Sequence, residues 1–168
     1  MNKRKLESYA KFLSDAYSIA NHSKYRNTRV GCVILGPGLE IRSSGWNGAC
    51  RGCKADEDNR LDNRDEKLLW AVHAEANAIS NAARCGTPLQ GCVMVCTHVP
   101  CMSCAKLVVQ AGISAVLCPE PPERYRLQWE QEYDKSKRLF EEVGVKFKWI
   151  VEEVLKNEGK ELINYRIS

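Results

Sequence analysis

No stretch of the 168-residue chain comes near the 18 or more apolar residues that would cross a bilayer, which argues against a membrane span. The basic start, Met1 to Lys5, runs into an amphipathic pattern and not into an apolar signal core, so a cytoplasmic protein is expected. Strong charge of either sign is lacking too. The formal net charge is +4 and the Lys and Arg residues are scattered, a balance that suits an anionic small molecule and gives no sign of a nucleic-acid partner. Internal repeats and low-complexity linkers are absent. A single domain over residues 1–168, long enough to bury a core, is the expectation.

Hydrophobic residues make up 44% and charged residues 27%, the balance of a globular protein. The nine cysteines would suggest disulfides in a secreted chain, but nothing here points to secretion. Cys32, Cys92, Cys96 and Cys118 sit inside apolar runs and read as small buried hydrophobes. That leaves two C-x-x-C pairs, Cys50–Cys53 and Cys101–Cys104, each needing its own explanation.

Leu6, Tyr9, Leu13, Ala16, Tyr17 and Ala20 recur at helical spacing and predict one amphipathic helix from about Arg4 to Asn21. Val30–Leu35 is a short, β-branched apolar run; Gly36-Pro-Gly38 turns the chain and Glu40–Trp46 returns as the second strand of a hairpin. A polar stretch over about 47–68 reads as a surface insertion or lid. Helices then follow at 72–84, 101–111 and 124–143, alternating with strands at 92–97, 113–118 and 145–151, while 152–168 carries too weak a pattern to assign. The later β-α-β units require parallel pairing and the opening hairpin an antiparallel edge. The fold class is therefore α/β: a three-layer α-β-α sandwich with a mixed five-stranded sheet flanked by helices.

Two segments carry chemistry, His73-Ala-Glu75 and Pro100-Cys-Met-Ser-Cys104. H-x-E followed by P-C-x-x-C is the signature of zinc-dependent deaminases. A catalytic zinc takes three protein ligands and keeps its fourth position for water, and His73, Cys101 and Cys104 make that set. Residues three apart at a helix start can face one point, and the positive end of the helix favours thiolates. Pro100 suits the same position, where its missing N–H costs nothing. Zinc lowers the pKa of a bound water from about 15.7 to near 7. Glu75, two residues past His73, is placed as a catalytic proton shuttle and not as a fourth ligand. Without the paired motif, a structural zinc site or a metal-free C-x-x-C would be the plainer reading.

With these residues in view, the chain resembles the deoxycytidylate deaminases within the cytidine deaminase superfamily. The resemblance is carried by Ser23-Lys24, Thr28-Arg-Val-Gly31, Gly45-Trp-Asn-Gly48, His73-Ala-Glu-Ala-Asn-Ala-Ile79 and the run from Cys101 to Ile113, in family order over about residues 6–150. It implies the same five-stranded fold, a Zn²⁺ cofactor on His73, Cys101 and Cys104, and hydrolysis of dCMP to dUMP and ammonia with Glu75 moving the protons. It also implies substrate contacts: Asn47 to base or sugar, Val30 as pocket floor, Thr28 nearby, and His98 just before Pro100. For Asn47 the plainer reading is a tight turn before Gly48, and Trp46 reads as either a nucleotide neighbour or core. Arg26 and Arg51 are candidates for a 5′-phosphate, with Lys24 and Arg29 beside them.

The resemblance further implies a homo-oligomer, a hexamer or dimer, with dCTP and dTTP as effectors. Two loops depart from the family pattern. Cys50-Arg-Gly-Cys53 stands after the GWNG segment, and Pro119-Glu-Pro-Pro122 lacks the aromatic found in many relatives. Cys50 and Cys53 read as free thiols or as half of a second zinc site with Cys85, His22 or His98. Alternative functions are deamination of dCTP, of a modified cytosine nucleotide or of another pyrimidine, a more distant RNA adenosine deaminase, and a non-catalytic regulatory member of the fold.

Overall fold

The structure is a computed structural model that describes residues 2–25, 28–54, 63–121, 123–157 and 160–167, with the side chains of 124–129 and 153–166 left aside. Its elements in chain order are α1 (Lys3–Ala10), α2 (Leu13–Ala20), β1 (Gly31–Leu35), β2 (Ile41–Trp46), β3 (Gly48–Ala49), α3 (Arg64–Trp70), β4 (Ala71–Val72), α4 (Ala74–Arg84), β5 (Val93–Cys96), α5 (Met102–Gln110), β6 (Ala115–Pro119), α6 (Glu123–Val143), β7 (Lys146–Asn157) and β8 (Lys160–Ile167).

The main sheet runs β2-β1-β5-β6-β7-β8. Pairing is antiparallel for β2–β1 and β1–β5, parallel for β5–β6 and β6–β7, and antiparallel again for β7–β8. The five expected strands are present in a mixed sheet. A sixth, β8, comes from the segment that the sequence pattern left unassigned, and β7 itself runs on to Asn157 to pair with it.

Why β1, β5 and β6 read as unbroken apolar runs is clear from their burial on both faces. Cys32, Ile34, Met94, Cys96 and Val116 pack with Ala74, Ala78, Ala105, Val108 and Phe140, beneath α4, α5 and α6. The alternate residues Val33, Leu35, Val93, Val95, Ala115 and Leu117 pack with Leu6, Tyr9, Leu13 and Ala16, beneath α1 and α2. Two glycines let helices approach closely from opposite sides. A Cβ on Gly31 would collide with the α2 backbone at Ala16, and one on Gly45 with α4 at Ala74 and Ala78.

The single helix expected over Arg4–Asn21 is two. The Phe12 N–H turns back to the Tyr9 carbonyl at 3.0 Å, and Ala16 restarts the ladder on Phe12 at 3.0 Å. Apolar periodicity continues across the break, so it hides the kink. Within the polar stretch, β3 pairs with β4 and α3 begins on Asn63, whose side chain accepts from the Asp65 and Glu66 N–H groups; residues 55–62 of that stretch lie outside the described residues.

Candidate metal centre and the cleft beside it

The β3–β4 ladder aligns Gly48 with Val72 and so brings the Asn47 segment beside His73. His73 is the N-cap of α4, extended at φ −71 and ψ 156, and Cys101 is the N-cap of α5 at φ −67 and ψ 169. Neither side chain caps its own helix, so both are available at the helix ends. Cys104 follows within the first turn of α5 and is buried. Two helix N-termini thus converge, and their partial positive charge favours anionic sulfur.

The three donor atoms lie within 4.8 Å of one another. His73 Nδ1 stands 3.4 Å from Cys101 Sγ and 3.5 Å from Cys104 Sγ. Ligands at zinc distances on a tetrahedron would have a nitrogen–sulfur separation of about 3.6 Å, so the arrangement fits that ion. The thiols behave as a pair. The hydrogen bond from Cys104 holds Cys101 as a thiolate, with its pKa down at about 4, and the same bond pushes Cys104 up. His73 is raised, chiefly by its hydrogen bond with Cys101.

Glu75 occupies the first turn of α4 and is 3% exposed. Burial pushes its carboxyl up to about 7, against the opposing pull of its own backbone N–H and of His73. A carboxyl poised there can both take and return a proton near neutral pH.

The other expected site residues divide. Asn47 is buried; its Oδ1 accepts from the Val30 N–H at 2.8 Å, its Nδ2 donates to the Thr28 carbonyl at 2.9 Å, and its own N–H reaches the Val30 carbonyl at 3.1 Å. It therefore braces the Thr28–Val30 backbone, with one N–H and one lone pair of the amide still to spare. Val30 packs on the α4 side of the sheet, against the cluster that holds Cys32 and Ala74. Thr28 and His98 line a cleft of about 540 Å³. Arg26 lies outside the described residues. Arg51 donates to Asn81 Oδ1 at 2.9 Å, eight residues past His73 on α4 and so about 12 Å along that helix. The structure does not bring it to the metal centre.

The cleft opens at the C-terminal ends of β5 and β6, where open α/β sheets take ligands. Sequence reading missed several of its walls: Tyr17, Thr97, Ile150 and Glu152. None stands in a recognisable motif, and Glu152 lies past the expected end of its strand. Thr97 accepts the Gly31 N–H at 3.1 Å and stands four residues before Cys101 in sequence, while His73, Glu75, Cys101 and Cys104 are not among the residues that line the cleft. His98, beside it, has its pKa lowered by burial. Trp46 is exposed and sits 5.0 Å from the His22 ring. Cys50 and Cys53 meet in a turn, and among the described residues the one cluster of metal-ligating side chains is His73, Cys101 and Cys104.

The model of the cytidine and deoxycytidylate deaminase zinc-binding region matches residues 6–120. The chain belongs to that deaminase family. It is 37% identical over 146 residues to an uncharacterized deaminase in the luxG 3′ region of Aliivibrio fischeri, covering 87% of this chain and 95% of that one. It is 34% identical over 144 residues to the deoxycytidylate deaminase of Pongo abelii, covering 82% and 76%. The fold is shared with a crystal structure of dCMP deaminase from the cyanophage S-TIM5 in complex with dCMP and dUMP, at a TM-score of 0.66 and 23% identity over 89% of this chain and 98% of that one. As a member of this deaminase family the chain is a zinc enzyme, and its His/Cys/Cys group matches that cofactor. Among the described residues no helix is long and apolar enough to cross a membrane.

Proposed function

We propose that the chain hydrolyses the exocyclic amino group of a cytosine deoxynucleotide, converting dCMP and water to dUMP and ammonia. The observation that carries this reading is Glu75, a fully buried carboxyl held near neutrality on the same helix turn that begins with His73. Relatives that bear the name deoxycytidylate deaminase support the choice of substrate. His73, Cys101 and Cys104 would hold the zinc, which when bound acidifies a water and polarises it for attack. Glu75 takes a proton as the water oxygen bonds to C4 of the base. It delivers that proton to the ring nitrogen, then takes the remaining hydroxyl proton of the adduct and passes it to the amine, so that the C4–N bond breaks, ammonia leaves and a carbonyl replaces it. Asn47 orients base or sugar with its spare amide capacity, over a floor that includes Val30.

Exposed Leu68 and Leu69 on α3, 55% and 78% accessible, support a homo-oligomer; a monomeric mass by sedimentation at micromolar concentration would count against it. The experiment for the activity is ammonia release from a panel of cytosine and adenine nucleotides and nucleosides by the zinc-loaded chain. dCMP is expected to lead. Turnover of deoxycytidine at an equal rate would replace this reading with a nucleoside deaminase.

A further inference from the structure

We propose that Asn77 is a positioning residue for the substrate: from the helix that carries Glu75 and begins at His73, it fixes the peptide bond on which Asn47 presents its amide. The inference rests on the reading of Asn47 as a contact to base or sugar, and adds the residue that holds it in place.

β2 lies at one end of the sheet order, with β1 as its neighbour. Trp46 and Ser44 stand opposite Gly31 and Val33, and the Asn47 N–H bonds the Val30 carbonyl. In that register both residues are non-hydrogen-bonded partners, so their carbonyls face away from β1. Helix α4 supplies the donors. Asn77 Nδ2 donates to the Trp46 carbonyl at 2.8 Å, and Asn81 Nδ2 to the Ser44 carbonyl at 2.9 Å. Two strand residues rise about 6.8 Å and four helical residues about 6 Å, so one asparagine per helical turn matches one outward carbonyl per strand repeat. Gly45 lets the helix come this close, because a Cβ there would meet the backbone of Ala74, Asn77 and Ala78.

For Asn81 the bond covers an edge carbonyl in mid-strand. Asn77 acts at a different place. The carbonyl it binds belongs to the peptide bond that leads into Asn47, whose N–H is held by the Val30 carbonyl at 3.1 Å. The backbone N–H of Asn77 also bonds the His73 carbonyl at 3.0 Å. On the other side of Asn47, Gly48 pairs with Val72, the residue before His73. Asn47 and the metal ligand are thus closed into one ring, through Asn77 on one side and the β3–β4 pair on the other. The strand has a further anchor on α4, since Ser43 Oγ donates to the Ala78 carbonyl at 2.6 Å. Losing the Asn77 side chain therefore loosens the Asn47 peptide and leaves β2 in place.

The test uses zinc-loaded full chains of the wild type, Asn77→Ala, Asn77→Gln, Asn81→Ala, Asn47→Ala and the Asn47→Ala/Asn77→Ala double variant. It measures zinc content, melting temperature, kcat and KM for dCMP, and the Kd of dUMP. Asn77→Ala and Asn81→Ala should keep one zinc per chain and melt within a few degrees of the wild type, since alanine favours a helix. Asn77→Ala should raise KM and Kd by about three- to tenfold with kcat within about twofold, and Asn77→Gln, which keeps the donor, should recover part of the loss. Asn81→Ala should leave both constants within about twofold. In the Asn47→Ala background Asn77→Ala should cost less than about twofold, because the group it positions is gone. Unchanged constants in Asn77→Ala, an equal loss in Asn81→Ala, an equal loss with and without Asn47, or loss of zinc overturns the proposal. The contrast between Asn77→Ala and Asn81→Ala decides it even if Asn47→Ala does not fold. If Asn47→Ala folds and matches the wild type, or the wild type releases no ammonia from dCMP, the reading of Asn47 or of the substrate fails, and the proposal with it.

Discussion

The metal centre and the cleft share one edge of the sheet, yet the chain builds them in opposite ways. The centre needs two short segments, each placing its residues at a helix N-terminus, and each side chain is held by the helix it begins. The cleft draws on α2, the approach to β1, the exits of β5 and β6, and the middle of β7. Its residue types are ordinary, and only the sheet's strand order makes them neighbours. The metal-ligating group is placed by rigid helix ends, whereas the walls of the cleft come from separate helix, strand and loop segments.

That contrast can be broken most forcefully at Glu75. Glu75→Gln should retain one zinc per chain by metal analysis while losing about 10²- to 10⁴-fold in turnover; loss of the metal would make Glu75 a ligand and dissolve the division of roles. Cys104→Ala should lose both zinc and activity. It should also melt several degrees below the zinc-loaded wild type, because bound metal stabilises only the folded chain.

A third prediction concerns pH in the metal-free protein. Glu75 is raised to about 7 when folded, whereas an unfolded Glu titrates at about 4.3. Between those values the folded state binds the extra proton, so the wild type loses stability as pH rises through this window and levels off above it. Glu75→Gln does not titrate. Its melting temperature should therefore gain on that of the wild type from pH 4 to 7, by an amount equivalent to roughly a few kcal/mol. A constant difference across the range would show that Glu75 is not held protonated by burial. The smallest effect is expected at Arg51, whose guanidinium rests on Asn81. Arg51→Ala should leave kcat/KM for dCMP within about twofold, and a tenfold loss would mean that this side chain reaches the phosphate after all.

The same contrast explains what could be read from the chain before its fold was seen. His73, Glu75, Cys101 and Cys104 were legible because metal ligation and helix starts impose fixed local spacings. Strands β1, β5 and β6 were legible because burial on both faces demands unbroken apolar runs. The kink at Lys11–Phe12 was not, since no Gly or Pro marks it and the apolar stripe persists on both sides. β8 escaped because its alternation is blurred by polar residues, although it pairs with β7 as an antiparallel neighbour from Asn157 and Lys160 onward. Asn47 was singled out as a ligand contact, but its backbone-bracing bonds to Thr28 and Val30 are tertiary and leave no local trace. Arg51, four residues after Asn47 in sequence, donates to Asn81 of α4, a tertiary contact that likewise leaves no local trace.

The most direct test of the account follows dCMP, dUMP and ammonia together as zinc is removed and restored. The zinc-replete chain should convert dCMP to dUMP and ammonia in equal amounts, lose that activity on chelation and regain it with one equivalent of zinc. A zinc-replete, folded chain that binds cytosine nucleotides but releases no ammonia from any of them would contradict the account and leave a binding protein built on a deaminase fold.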